Sequence, residues 1–307
     1  MRSAPPPEHR TGARYDQHMW QVDVQKRLRH DLPWIAGLSI LAVTVVAAIQ
    51  IRFGIDSHAY WVAARGELYT TGPDTTDAFL YSPAFAQAIR PLAAHLPWPA
   101  FGILWSVAAG ATLALLLRPM GLRRATPFWL CCSWEIVSGN VYWLFAVVAA
   151  FGLSRPYLWA IPALTKISPT VGPVWFLVRR DWWNLTLAAG TTLLIVMLSF
   201  WADPAAWLDW FVFLRAHGGQ STSQVGGLSL PLVIRAPLGV LIVVWGAKTN
   251  RAWTVPAAMM IATPVSGIGG LAILAALPRL ARDATDSSAK NLGTKSTAHR
   301  DPGANDS

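Results

Sequence analysis

The sequence predicts an all-α fold: a polytopic transmembrane helical protein of about eight to twelve membrane segments, with an external loop after the first span. Three observations predict it. The chain of 307 residues is 53% hydrophobic and only 13% charged, against about 25% charged residues in a soluble domain. Its apolar residues gather in runs almost free of charge, as helices that meet lipid require. Its Lys and Arg fall in short clusters between those runs. The net charge of +9 therefore reads as orientation across a bilayer, and it excludes a phosphate-tracking groove for nucleic acid.

Residues 1–31 are polar, Pro-rich at the start and mixed in charge. A signal peptide has a shorter basic region and a cleavage site after its apolar core. Here the basic stretch is long and Leu32 to Ile51 carries no charge, so this run reads as an uncleaved first span. Further apolar runs lie near 97–117, 125–138, 139–153, 156–166, 168–178, 183–201, 228–246, 252–264 and 266–280. Several fall short of the roughly 20 residues that cross a bilayer. Segments broken by Gly and Pro, such as 156–178, can still sit at membrane depth where they line a cavity. The tail after Arg282 is polar and reads as disordered. The expected division is a cytoplasmic segment 1–31, one transmembrane domain 32–281 and a cytoplasmic tail 282–307.

With the N-terminus inside, 19 Lys and Arg fall on the cytoplasmic side and six (Arg52, Arg65, Arg90, Lys166, Arg215, Arg235) outside or near the outer edge. The positive-inside rule then places the 52–96 loop on the extracytoplasmic face. Helix-like pieces are expected at 57–66 and 83–95. A second external region, 203–227, begins "DPAAWLDWFVFLRAHGG". Its aromatic residues fall all round any helix, which suits the headgroup level.

Asp56 follows the first span by about one helical turn. Two roles stay open for it: N-cap of a helix beginning at Ser57, and general base at the membrane surface, its pKa raised by partial desolvation. Lys166 and Arg235 lie in apolar surroundings, where a cation must meet water, a carboxylate or a phosphate, or snorkel to the interface. With Arg215 and Arg65 they form a set of outer cations able to hold a lipid phosphate. Glu135 and Asn140 read as cavity-lining groups or as helix–helix hydrogen bonds. His58, His95 and His217 are external, and their spacing matches no metal site. Asp56, Glu67, Asp74 and Asp77 supply oxygens enough for a divalent cation, without recognisable ligand spacing, so no metal ligand is assigned. The adjacent Cys131 and Cys132 read as small core residues.

Taken in order, an Asp after the first span, "YWVAARGELY", "FLYSPAFA", Gly139–Asn140, "KISP" at Lys166–Pro169 and "RRDWWN" at 179–184 resemble glycosyltransferase family 87, of GT-C architecture. That family includes polyprenol-phosphate-mannose-dependent mannosyltransferases that build phosphatidylinositol mannosides in actinobacteria. The resemblance covers about residues 33–280. It implies a multi-pass enzyme of the cell membrane that transfers a sugar, with inversion, from a polyprenyl-phosphate donor to a lipid or glycan hydroxyl outside. On this resemblance Asp56 is the catalytic base and Lys166 matches the family's lysine; the charge that develops on the donor phosphate makes Lys166, Arg215 and Arg235 the candidates to bind it. Tyr60, Tyr69, Tyr81 and Asn140 line the substrate cavity, together with His58, Arg65 and His217. The implied partners are membrane lipids, the donor and the acceptor; no cofactor is assigned, and a divalent metal is left undecided. One departure stands out. The family's C-terminal "P-x-S-W-x-H"-like stretch corresponds here to "TPVSGIGGLAILAALP", with glycines in place of Trp and His. Either His58 or His217 then substitutes, or activity or donor has changed.

Two other classes are weighed against an enzyme of this kind. A lipid-linked sugar transporter should carry inverted repeats, and the sequence shows none. A degenerate, non-catalytic partner should lose Asp56 or Lys166, and both are present. Hydrolysis of a lipid-linked sugar is a third possibility, with water in place of the acceptor at the same base.

Overall fold

The longest uncharged runs become the longest helices. In a computed structural model, which describes residues 31–66, 68–73, 75–217, 230–264 and 267–283, four helices are long and apolar enough to cross a membrane: α1 (Asp31–Gln50), α4 (Trp98–Leu117, continued as a 3-10 turn to Met120), α10 (Trp182–Ala202) and α12 (Leu232–Thr249). At about 1.5 Å per residue such helices are about 30 Å long, the thickness of a bilayer's hydrocarbon core. They leave Ile35, Leu38 and Val46 of α1, and Leu193, Leu194 and Leu198 of α10, exposed. A continuous apolar surface of this kind is stable against lipid and not against water. No strand occurs among the described residues. Residues 1–30 and 284–307, which hold most of the expected terminal segments, lie outside them.

The shorter predicted runs become short helices joined by sharp breaks. The run 125–138 divides into α5 (Leu122–Cys131) and α6 (Ser133–Ser138), and the run 139–153 is α7 (Tyr142–Phe151). Residues 156–178 hold a 3-10 turn (Pro156–Trp159), α8 (Ala160–Thr165) and α9 (Pro173–Arg179). α13 (Thr254–Ile261) precedes a nine-residue 3-10 segment, Ile268–Ala276, and a last helix, α14 (277–283). Proline opens the Pro156 and Pro173 elements, where its missing N–H costs nothing. These pieces fill the interior: α7 packs on α4, α13 and the Ile268–Ala276 segment. Val141, Phe145, Ala146 and Val148 are sealed there completely. Backbone at membrane depth thus departs from a straight helix where it is covered by protein.

Both helix-like pieces of the first loop form, as α2 (Ile55–Ala63) and α3 (Pro83–His95). α11 (Pro204–His217) begins where Asp203 accepts a hydrogen bond from the Ala206 N–H at 3.0 Å. Trp207, Trp210 and Phe213 are buried, while Leu208, Phe211 and Val212 are exposed. α11 packs on α3 and α10, and the Phe213 ring lies 5.3 Å from that of Tyr69. The two stretches assigned to the outer face therefore lie together. Basic residues assigned to the inner face also meet, Arg155 and Arg279 both standing over Phe151 at 5.8 and 4.6 Å.

Candidate active site

Asp56 owes its position to two glycines. Gly54, in the left-handed region at φ 68°, is the residue before α2, and no side chain caps that helix. The expected capping role of Asp56 is therefore not found: the helix begins at Ile55, one residue before it, and Asp56 sits inside the first turn. The Gly54 N–H donates instead to Val137 O of α6 at 2.8 Å. Gly139, at φ 73°, ends α6, and a Cβ there would run into the Ser57 side chain. This close approach clamps the start of α2 to the end of α6. Asp56 is thereby set against Ser138 and Asn140, residues more than 80 positions away in the chain.

Asn140 joins the acid to the lysine. Its Oδ1 accepts from the Val141 N–H at 2.8 Å and from Lys166 Nζ at 3.0 Å. With the oxygen doubly engaged, the amide nitrogen is left to donate toward the Asp56 carboxyl, on which Asn140 acts as a hydrogen-bonding partner. The Ser138 hydroxyl faces the same carboxyl. Lys166 follows the last turn of α8, is 9% exposed, and stands 4.1 Å over the Tyr142 ring and 5.7 Å over that of Tyr81. Tyr81 and Tyr60 share a hydrogen bond between their hydroxyls at 2.8 Å. Ser82 donates to Leu164 O at 2.5 Å, which ties the start of α3 to the end of α8 beside Lys166.

The Asp56 carboxyl lies deep among protein atoms, while the residue as a whole is half-buried. Burial pushes its pKa up from the ordinary carboxylate value, against the opposing pull of Lys166, Asn140 and Ser138. A group so placed is a stronger base than a solvated aspartate once ionised. An apolar groove of about 610 Å³ runs between α12 and the 168–174 stretch, which follows Lys166 in the chain, and is lined by Val171, Val174, Pro237 and Leu241. Ser168 and Thr170 also line it, and their hydroxyl oxygens are buried without partners.

Other expected site residues are held elsewhere. Arg235 is 2% exposed and donates to four carbonyls, those of Leu230 (2.6 Å), Ile261 (3.1 Å), Thr263 (2.7 Å) and Pro264 (3.3 Å). Its guanidinium organises the turn after α13 and is not open to a phosphate. Arg215 is exposed in the last turn of α11, with no contact to the Asp56–Lys166 cluster. Arg65 donates to Ala93 O at 2.8 Å and lies 4.6 Å over the Trp61 ring, fixing α2 on the end of α3. His58 is two residues from Asp56, about 200° round the helix. It bonds to Asp77 at 2.6 Å, and Arg52 reaches the same carboxylate oxygen at 2.7 Å. His217 bonds to Phe213 O at 3.1 Å, and its ring nitrogen stands opposite Gly72. Neither histidine reaches Asp56. Tyr69 donates to Tyr81 O at 2.7 Å and so supports the cluster from outside. The stretch in which the family's C-terminal histidine is absent does border the site: a Cβ on Gly269 would stand 3.2 Å from Trp134 and 3.3 Å from Glu135.

The sequence reading left out Tyr142 and Ser138, which nothing but their nearness to Gly139–Asn140 could have signalled. Glu135 was noted as buried but not joined to the site. Among the described residues no group of three or more His, Cys, Asp and Glu side chains could hold a metal ion, and Glu67 and Asp74 lie outside those residues.

Fold and site together define an α-helical membrane protein in which Asp56 and Lys166 meet, through Asn140, in a buried polar cluster. The family model of glycosyltransferase family 87 matches residues 79–294, more than two thirds of the chain, and the chain belongs to that family. The matched stretch contains Asn140 and Lys166 and begins beyond Asp56. No curated protein and no solved structure matches.

Proposed function

We propose that this membrane glycosyltransferase moves a sugar, mannose by its resemblance to the best-known relatives, from a polyprenyl-phosphate donor to a lipid or glycan hydroxyl on the extracytoplasmic face. The observation that carries this reading is the convergence of Asp56 and Lys166 in one buried cluster, bridged by Asn140. In an inverting transfer the acceptor oxygen attacks the anomeric carbon while the bond from that carbon to the phosphate oxygen breaks. The acceptor's proton passes to Asp56, and the bonding electrons pass to the phosphate, which becomes a dianion. A phosphate leaving group needs no acid, so a single carboxylate suffices. What it needs is positive charge where the new negative charge develops, and Lys166 stands there. The apolar groove lined by Val171, Val174, Pro237 and Leu241 suits the first units of a prenyl chain. In this reading both termini are cytoplasmic, the domain runs from 32 to 281, and the cluster lies toward the outer face.

The test is transfer from radiolabelled polyprenyl-phosphate mannose to a membrane-lipid extract, by purified protein in lipid. Wild type is expected to transfer, and Asp56→Asn, folded to the same thermal stability, is expected not to. Equal transfer by both removes Asp56 as the base. Radiolabel released only as free sugar identifies a hydrolase. Absence of transfer by wild type, with other polyprenyl-phosphate sugars as well, favours the non-catalytic reading.

A further inference from the structure

The stretch "RRDWWN" at 179–184 has no part in the transfer reaction. It closes α9 and opens α10, a membrane span. It also meets the end of a second span, α12, on which α9 packs. Arg179 makes the junction, donating to Asn250 Oδ1 at 2.8 Å. Both helices end there in the same way. Arg180 and Asn250 each take the left-handed conformation at φ 55°. The Asp181 N–H donates back to Phe176 O at 2.9 Å, and the Arg251 N–H to Gly246 O at 2.8 Å. Glycine is the usual residue at such a turn; here a cation and an amide stand in its place. The two turns bring four exposed cations, Arg179, Arg180, Lys248 and Arg251, to one end of α9 and α12.

Part of this charge answers the negative ends of the two helices. Each end carries only about half an elementary charge, so about three of the four positive charges remain. Among the described residues no carboxylate pairs with any of the four. Asp181, the acid within the stretch, is engaged in capping α10. It accepts from the Asn184 N–H at 3.3 Å and from the Asn184 side-chain amide at 2.6 Å. Four tryptophans stand exposed around the same helix ends: Trp182 (58%), Trp183 (78%), Trp245 (45%) and Trp253 (47%). The rings of Trp245 and Trp253 lie 6.0 Å apart, and Arg251 stands 4.9 Å over Trp245. Indoles gathered where spans begin and end mark the headgroup level of a bilayer. Unpaired cations at that level meet lipid phosphates.

We infer that this junction binds the headgroup of an anionic phospholipid, at the bilayer surface where α10 begins and α12 ends. The phosphate meets Arg180, Lys248 and Arg251, and the acyl chains run along the exposed Leu177, Trp245 and Leu241 of α9 and α12. A zwitterionic lipid sets its own cation against the same side chains, so the site selects by net charge. Arg179 is held by Asn250 and joins the two helices, which leaves the other three cations to face the lipid. The inference does not depend on the transfer reaction, and each stands if the other fails.

The experiment is native mass spectrometry of the full chain, released from micelles that hold equal amounts of phosphatidylglycerol and phosphatidylcholine with the same acyl chains. Wild type is expected to retain phosphatidylglycerol in preference. The triple variant Arg180→Gln, Lys248→Gln, Arg251→Gln leaves the Arg179–Asn250 bond in place. It should keep the wild-type Tm and lower that retention about tenfold or more. A second triple variant, Arg118→Gln, Arg123→Gln, Arg124→Gln, removes the same charge from exposed positions at the start of α5 and the turn before it. It is expected to retain lipid as wild type does. An equal loss in both variants would mean that bulk charge holds the lipid, and the site falls. It falls also if wild type shows no preference, or if the first variant retains as much as wild type. Inorganic phosphate, added against chloride of matched ionic strength, should displace little; complete displacement would identify a site for a soluble anion and overturn the lipid. If the first triple variant does not fold, Lys248→Gln alone decides: a several-fold loss is expected, and no loss overturns the inference.

Discussion

Replacing Arg235 by Met separates two roles for a cation that the sequence assigned to a phosphate. Its guanidinium donates four hydrogen bonds to backbone carbonyls, two of them at 2.6 and 2.7 Å. Three of the four acceptors, Ile261, Thr263 and Pro264, belong to the turn that ends α13. Bonds from a charged donor contribute roughly 1.5–3 kcal/mol each, though not additively. Methionine restores apolar packing and removes the cost of covering a charge, which offsets part of the loss. The net cost should be on the order of 3 kcal/mol. For a chain of this size each kcal/mol moves Tm by about 2–4 °C, so a fall of about 10 °C is expected. The 17 tryptophans make thermal unfolding in detergent readable by intrinsic fluorescence, with donor KM measured in parallel below the transition. An unchanged Tm with a raised donor KM would refute the structural role and return Arg235 to the phosphate.

Burial raises the pKa of Asp56, and a base works only when ionised, so kcat/KM should fall as pH drops through that raised value. The acid limb is expected above the ordinary carboxylate range, and a limb near pH 4, about the unperturbed value, would deny Asp56 its burial in the working enzyme. The same sign makes ionised Asp56 a liability for folding above that pH, so Asp56→Asn should unfold no earlier than wild type at neutral pH; a clearly lower Tm would contradict this. Gly139→Ala places a Cβ in the left-handed region, at about 1–2 kcal/mol, and drives it against Ser57, whose backbone nitrogen would lie 3.3 Å away. Both Tm and transfer should drop as α2 is pushed from α6, and wild-type values for both would show that the clamp does not hold Asp56.

Chain periodicity and charge spacing foretold what depends on nearest neighbours. Leu32–Ile51 and the run at 183–201 became long apolar helices because nothing in them interrupts a helix or offends lipid. Residues 57–66 and 83–95 became α2 and α3 for the same local reasons. The break at Cys132 was harder to place, since it divides what reads as one apolar run, 125–138, and only packing decides that α6 lasts six residues. The cap assigned to Asp56 failed because Gly54 could adopt φ 68° and let the helix start early, a freedom that sequence hints at but does not enforce. The cations show the limit most plainly. Lys166 and Arg235 looked alike, each a lone positive charge in apolar text. Lys166 has one side-chain acceptor, Asn140, and two aromatic faces, so part of its ammonium stays available to a ligand. Arg235 found a turn whose carbonyls no helix had satisfied. A buried cation takes whatever acceptors the fold leaves over, and those are known only once distant segments have met. Asp56 and Lys166 stand 110 positions apart in the chain, and what joins them is one asparagine on a third segment, oriented by the backbone N–H that follows it.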